Sequence, residues 1–307
     1  MKNSINYYYN LRINDLIKKK NWYYFFLNDD EYIFINFDRP IGDIVPLYYL
    51  NNEMLKRGCL VHKIILNKDK NPITTINDDK FLLLKLCKYK NNRVFLNDIV
   101  YLQNMTYNIN SHKDLFRLDW VKLWSEKIDY YEYQINQLGK NYPILCDSLG
   151  YYIGLGENAI SYLVNNNYKN IQPYVVSHKR IYINKGSLDF FNPLNFIIDN
   201  RVRDICEYIK NTFFYDDFNE FELKSYFNNC NYNKDEYIYL FSRLLFPTYY
   251  FDVYDKIINK KCNEEIIIPI IKKSVEYEIF LKDIYNYITN EKKVQIEPID
   301  WLMKNNS

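Results

Sequence analysis

With 307 residues and 40 Lys and Arg against 38 Asp and Glu, the chain can bury a sizeable core in one large or two smaller domains. It has no net field to draw nucleic acid or an anionic membrane. Six cysteines (Cys59, Cys87, Cys146, Cys206, Cys230 and Cys262) form no Cys-x-x-Cys pair, and the three histidines lie far apart. That spacing excludes a zinc site and, with no apolar leader, points to reduced thiols in a cytoplasm.

No apolar run approaches the roughly 18–20 residues of a spanning helix, since Ile266–Ile271 is short and contains Pro269. The 33 Tyr and 19 Phe accompany an excess of Asn, Lys and Ile. This is the mark of AT-rich coding sequence, so clusters such as Tyr7–Tyr9 carry little weight as base-stacking platforms.

Taken in order, the run Lys18–Lys20 reads as the polar end of a short helix rather than a nucleic-acid arm. Trp22–Leu27 and Tyr32–Phe37 are aromatic and β-branched runs separated by Asn28-Asp29-Asp30-Glu31, a hairpin signal. A helix follows from about Ile44, with Asp43 as N-cap, an apolar face of Leu47, Leu50, Met54 and Leu55, and Gly58 just past its end. Leu60–Leu66 and Lys80–Cys87 are extended, with a short strand at Ile73–Ile76 between them. Asn91–Lys113 is polar and reads as a connector.

From Leu118 the pattern turns helical. Trp120, Leu123, Trp124, Ile128, Tyr131, Ile135 and Leu138 advance by threes and fours up to Gly139. Tyr151–Asn165 is a second helix, weakened by Gly154 and Gly156, and Ile171–Ile183 is extended. Asp199 or Asn200 caps a helix that buries Val202, Ile205, Cys206, Ile209 and Phe213. Asn233 and Glu236 have capping-box spacing for a helix that ends before Pro247. Phe251–Asn259 and Glu276–Ile288 are helical, and only the last few residues read as disordered. The expectation is an α+β fold of two lobes: a strand-rich N-lobe over residues 1–97 and a larger helical C-lobe over 98–307.

This order of elements resembles the protein-kinase-like fold, nearest its aminoglycoside and choline phosphotransferase branch. The segments LDWVKLWSEKIDYYEYQ, YYIGLGENAISY, NPLNFIIDNRVRDICEYIK and SRLLFPTYYFDVYDKI, within residues 118–258, are similar to the CotS/YutH-type kinase-like spore-coat proteins of low-GC Gram-positive bacteria. The resemblance implies a Gly-rich phosphate-covering loop between the first strands, where Asn28–Glu31 offers no glycine and three carboxylates. It implies a lysine on the next strand, and Tyr32–Phe37 has none. Glu53 matches the helix glutamate that would orient such a lysine.

The catalytic loop of the family resembles His-Gly-Asp or His-Arg-Asp. His178-Lys179-Arg180 keeps the histidine but puts a guanidinium, which cannot act as a base, where the aspartate belongs. Asn184 stands about one residue from the place of the magnesium-holding Asn. Asp189-Phe190 resembles the metal-holding Asp-Phe-Gly, with Phe191 for the glycine. Asp199 and Asp204 resemble later, mostly structural acids of the branch.

Beside these roles stand plainer ones. Asp189 reads as a turn residue, His178 as an inner histidine, and Arg180 and Arg203 as ion-pair partners of Asp189 and Asp199. Neither Cys146 nor Cys206 has the electropositive setting of a nucleophile. The function expected is a pseudokinase, a binding or structural protein connected with the spore surface, cytoplasmic or spore-associated. It needs no cofactor and has a protein partner, with no nucleic acid and no membrane. The alternative is an atypical small-molecule phosphotransferase using ATP and Mg. Its site would comprise His178, Arg180 and Asp189, with Glu53, Asn184 and Asp199 toward the cofactor and Asp189 on the metal.

Overall fold

The computed structural model describes residues 1–109, 113–117, 119–166, 172–215 and 218–304. Leu118, Ile171 and the last three residues, where the sequence suggests a helix start, a strand start and a disordered end, lie outside the described residues. In chain order come α1 (Lys2–Tyr9), β1 (Ile17–Lys18), β2 (Trp22–Leu27), β3 (Asp30–Asn36), α2 (Ile44–Lys56), β4 (Lys63–Ile65), β5 (Ile73–Ile76), β6 (Asp79–Lys85) and α3 (Leu96–Met105). Then follow α4 (Trp120–Leu138), α5 (Pro143–Asn165), β7 (Tyr174–His178), α6 (Gly186–Phe190) and β8 (Phe196–Asn200). The chain continues with α7 (Val202–Tyr215), α8 (Glu220–Asn229), α9 (Lys234–Leu245), α10 (Thr248–Ile258), α11 (Ile268–Lys272), α12 (Ser274–Asn286) and α13 (Asp300–Met303).

Two compact units result: Met1–Arg117 with Pro173–Arg201, and Leu118–Gln172 with Val202–Ser307. This departs from a single break near residue 97. The β7–β8 hairpin belongs with the first unit because its flanks are tied there through backbone groups. Ser187 N–H donates to Asn91 C=O at 2.8 Å, His62 N–H to Phe191 C=O at 3.0 Å and Val94 N–H to Ile183 C=O at 2.9 Å. Thr106 Oγ1 accepts from Val176 N–H at 3.0 Å, and Gln103 Nε2 donates to Arg201 C=O at 2.6 Å.

In the first unit an antiparallel sheet runs β1-β2-β3-β6-β4, with β5 paired to β6. Asn28 and Asp29 form the two-residue β2–β3 turn, with φ of 48° and 62°. Asn and Asp are the side-chain-bearing residues that best tolerate this left-handed pair. Alternation along the strands sends Phe25, Phe34, Phe81 and Leu83 to one face, where they cluster with Ile5, Tyr9 and Ile13. Phe34 and Phe81 stack there with centroids 4.8 Å apart. Across the unit, buried Asn51 of α2 donates to His62 C=O at 2.8 Å and accepts from Ile64 N–H at 3.0 Å, pinning the helix to β4.

Local expectations change at Lys18–Lys20 and at Asp43. Lys18 lies in β1 and Lys19 and Lys20 follow in a turn, so this run is no helix end. Asp43 precedes α2 but its side chain makes no cap bond; it accepts from Arg39 Nε at 2.8 Å instead. A buried guanidinium needs a counter-charge more than the helix needs that cap. Gly58 does take the left-handed conformation past α2, with φ of 75°.

The second unit is helical. Asp119 caps α4 by accepting from Lys122 N–H at 3.1 Å. α5 starts at Pro143, eight residues before the expected start, and runs unbroken through Gly154 and Gly156. A Cβ at Gly156 would lie 2.6 Å from Ile128 Cδ1, so this glycine lets α4 and α5 approach closely. The capping box of α9 forms as expected: Glu236 N–H to Asn233 Oδ1 at 2.9 Å, and Asn233 N–H to Glu236 Oε2 at 3.0 Å. Aromatic rings fill the core in stacked pairs, among them Trp124–Phe246 at 4.5 Å, Tyr152–Tyr250 at 3.7 Å and Phe214–Tyr249 at 3.7 Å. Much of the tyrosine content is therefore packing material.

Within that core α7 and α9 share a buried charge network. Glu207 accepts from Lys210 Nζ, Arg243 Nη2 and Thr248 Oγ1, each at 3.0 Å. Lys210 Nζ also donates to Arg243 C=O at 2.9 Å. The guanidinium carbons of Arg203 and Arg243 each lie 4.5 Å from the Trp120 ring centroid.

Candidate functional site

The positions that could carry phosphoryl transfer lie on β1–β3, α2, and the segment from β7 to β8. Strand order makes β1 and β2 the first strands of the sheet, so a phosphate-covering loop would lie between them rather than at Asn28–Glu31. That connection is a tight hairpin: Lys19 N–H donates to Trp22 C=O at 2.8 Å, leaving Lys20 and Asn21 as the tip. Two residues offer too few backbone amides to wrap a triphosphate. The carboxylates at the β2–β3 end are held elsewhere. Asp30 pairs with Lys85 at 2.5 Å, and Glu31 pairs with Lys90 and accepts from Tyr24 OH at 2.5 Å.

β3, Asp-Glu-Tyr-Ile-Phe-Ile-Asn, carries no lysine. Glu53 of α2 has a different cation: its carboxylate takes Arg57 Nη2 at 2.7 Å, one turn along the same helix. The geometry is that of a surface i,i+4 pair.

His178 ends β7 and is buried. Its Nε2 lies 2.8 Å from Phe190 C=O, and its ring stacks on Phe190 at 4.4 Å and meets Phe196 edge-on at 5.4 Å. It is an inner histidine with an internal partner. Arg180 is half-buried and bonds the C=O of Lys179 at 3.1 Å. Asn184 is exposed in a short 3₁₀ turn.

Asp189 sits in α6, half-exposed, with Lys185 Nζ 3.9 Å away and its C=O accepting from Asn195 Nδ2 at 3.1 Å. Its ion partner is Lys185, not Arg180. Asp199 is the fourth residue of β8, opposite Val175 and fully buried; its Oδ1 accepts from Asn200 N–H at 2.7 Å. It therefore belongs to the strand and is not the residue that precedes α7, which begins at Val202. Among the described residues no group of three or more His, Cys, Asp or Glu side chains is arranged to hold a metal ion.

Two tie points escaped the sequence reading. Arg39 is buried and its Nη1 donates to Leu194 C=O at 3.1 Å and Phe196 C=O at 2.7 Å, clamping the lead-in to β8. His62 is 2% exposed. Its Nδ1 accepts from Cys87 N–H at 3.2 Å, so Nε2 carries the proton and donates to Leu188 C=O at 3.1 Å. Burial drives its pKa down from 6.5 to about 4, against the smaller opposing effect of that Leu188 bond. No local signal marks either residue; His62 is a lone histidine in the apolar run Leu60–Leu66.

A family model described as "Spore coat putative kinase YutH" matches residues 2–284. The endospore coat-associated protein YutH of Bacillus subtilis (strain 168) is 24% identical over 342 aligned residues, spanning 100% of this chain and 99% of that one. Among solved structures, an aminoglycoside phosphotransferase from Alicyclobacillus acidocaldarius superposes with a TM-score of 0.59 at 10% identity, over 91% of this chain and 94% of its own. A spectinomycin phosphotransferase in complex with ADP and spectinomycin gives 0.58 at 12% identity, over 92% of each chain. At these identities the likeness establishes the kinase-like, two-lobed α+β fold.

Proposed function

The chain belongs to the YutH family of spore-coat proteins with a kinase-like fold, and on that premise we propose that it has lost phosphoryl transfer and serves as a binding or structural protein of the coat. The observation that carries this reading is the β1–β2 connection, closed over Lys20 and Asn21 by the 2.8 Å bond from Lys19 N–H to Trp22 C=O. Phosphoryl transfer depends on positioning and on neutralising charge over the phosphates; Lys20 brings charge to the tip, but two residues cannot wrap and position a triphosphate. The other parts support the same conclusion. β3 has no lysine, Glu53 is paired with Arg57, His178 is bonded inside the core, and Arg180 stands where a base would be needed.

These residues do not fit Mg·ATP. In this reading the protein needs no resident cofactor, is cytoplasmic or spore-associated, and has a protein as its partner rather than nucleic acid or a membrane. The contrary reading, a small-molecule phosphotransferase, would need Asp189 on a metal with Asp199 or Asn184 beside it. Calorimetric titration with Mg·ATP, run alongside an ATPase assay, separates the two. We expect neither micromolar binding nor turnover. Binding with turnover that Asp189→Ala abolishes would reverse the assignment.

A further inference from the structure

The free edge of the first unit's sheet has features that a lost kinase site does not account for. β1 is its terminal strand and is two residues long. On β2 the alternate residues Trp22, Tyr24 and Phe26 form an edge-to-face series, with centroids 6.2 Å and 5.1 Å apart. Ile17 pairs with Tyr24 and so lies on the same face. Tyr23, Phe25 and Leu27, on the opposite face, join the core cluster with α1, but Phe26 remains 58% exposed and Ile17 47%. Beside this apolar ladder Lys18, Lys19 and Lys20 are all exposed, and among the described residues none has an ion-pair or ring partner. Among the described residues Asp15 and, at the β2–β3 turn, Asp29 are the acids of that edge without a lysine, since Asp30 and Glu31 are held by Lys85 and Lys90.

Three occupants can be weighed on charge and shape. A second copy paired edge to edge would set three lysines near three lysines with only Asp15 and Asp29 to offset them, which is unfavourable. Nucleotide bases stack on free ring faces, whereas these rings meet one another edge to face. Their spacing is close to the repeat of alternate side chains along an extended chain, about 6.6 Å.

We propose that this edge docks an extended acidic segment of another protein as an added strand. Alternate apolar side chains of that segment lie on Ile17, Tyr24 and Phe26, and its carboxylates meet Lys19 and Lys20. The proposal deepens the binding role above and rests on it.

The test titrates the full chain with a short fluorescent peptide alternating Glu and Val, its Lys/Val counterpart, and a single-stranded oligothymidine. The Glu/Val peptide binds, and its affinity falls as salt rises. Lys19→Glu with Lys20→Glu weakens it by about tenfold, as does Phe26→Ser, while the thermal midpoints of both exposed-site variants stay at the parent value. No binding would mark the edge as merely guarded against aggregation. That result, equal binding of the Lys/Val peptide, preference for the oligonucleotide, or indifference to charge reversal each overturns the proposal. Mg·ATP turnover by the same protein would remove the pseudokinase reading and leave peptide docking intact; lost peptide binding without turnover would remove only the edge.

Discussion

In the second unit Glu207 is 2% exposed and gathers Lys210, Arg243 and Thr248 at 3.0 Å each. In the first, the Glu53 side chain is 33% exposed and holds Arg57 alone, at 2.7 Å. Both are glutamates on helices with a basic partner, and only the first is structurally demanding. Removal of Glu207 strands two cations in a region without water to solvate them, while Glu53 and Arg57 can each return to solvent. The charges expected to do chemistry around α2 and α6 are mostly of the second, solvated kind. The charges buried together on α7 and α9, which carry no local signal of their role, are of the first. The binding role proposed above would require a durable scaffold and no reacting centre, and this distribution suits it.

The largest expected effect follows from that contrast. Glu207→Ala destabilises the protein by about 3–5 kcal/mol in urea denaturation; a loss under 1 kcal/mol would mean that water reaches Lys210 and Arg243. His62 supplies the next. Its pKa in the folded protein is lowered to about 4 from 6.5, so the unfolded chain takes up the proton first as pH falls. The stabilisation tied to neutral His62 is complete above pH 6.5 and is lost between pH 6.5 and 4, by about 3 kcal/mol in all. His62→Gln removes that part of the pH dependence, as read by urea midpoints at pH 7 and pH 4.5. Unchanged curvature would deny that His62 is the titrating latch.

Gly186 tests the plaiting that keeps β7–β8 in the first unit. Its φ is 62°, and a Cβ there would meet Asn91 C=O at 2.1 Å, the same oxygen that accepts from Ser187 N–H. Gly186→Ala costs about 1–3 kcal/mol, with faster hydrogen exchange at Ser187 as its local sign. Glu53→Ala is the smallest change, under about 1 kcal/mol by the same denaturation assay. A larger loss would break the comparison by giving Glu53 a role beyond its turn of α2.

The parts legible from sequence share a short physical range. The α4 periodicity, the Asn233–Glu236 capping box, Gly58 beyond α2 and the hairpin at Asn28–Asp29 are set by residues within about one turn of each other. The wording of residues 118–258 carried the family, and the missing lysine of β3 was readable as an absence. Sequence reading misplaced the phosphate-loop position because a two-residue strand such as β1 has almost no signal of its own; only its pairing with β2 defines it.

Long-range partners explain the rest. Asp43 gave up its capping role to Arg39, whose other bonds reach Leu194 and Phe196 more than 150 residues away. Gly154 and Gly156 weakened a helix on paper, yet Gly156 is where Ile128 of α4 approaches. His62 acquired its tautomer and its depressed pKa from Cys87 and Leu188. By itself the sequence determined the strongly periodic helices, most caps and turns, and kinship, because backbone sterics and neighbouring side chains decide these within a few residues; α3, inside the segment Asn91–Lys113 that reads as a connector, was not among them. The tertiary structure alone decided which charges are buried together and which unit receives residues 173–201, because desolvation and packing depend on groups that only folding makes neighbours.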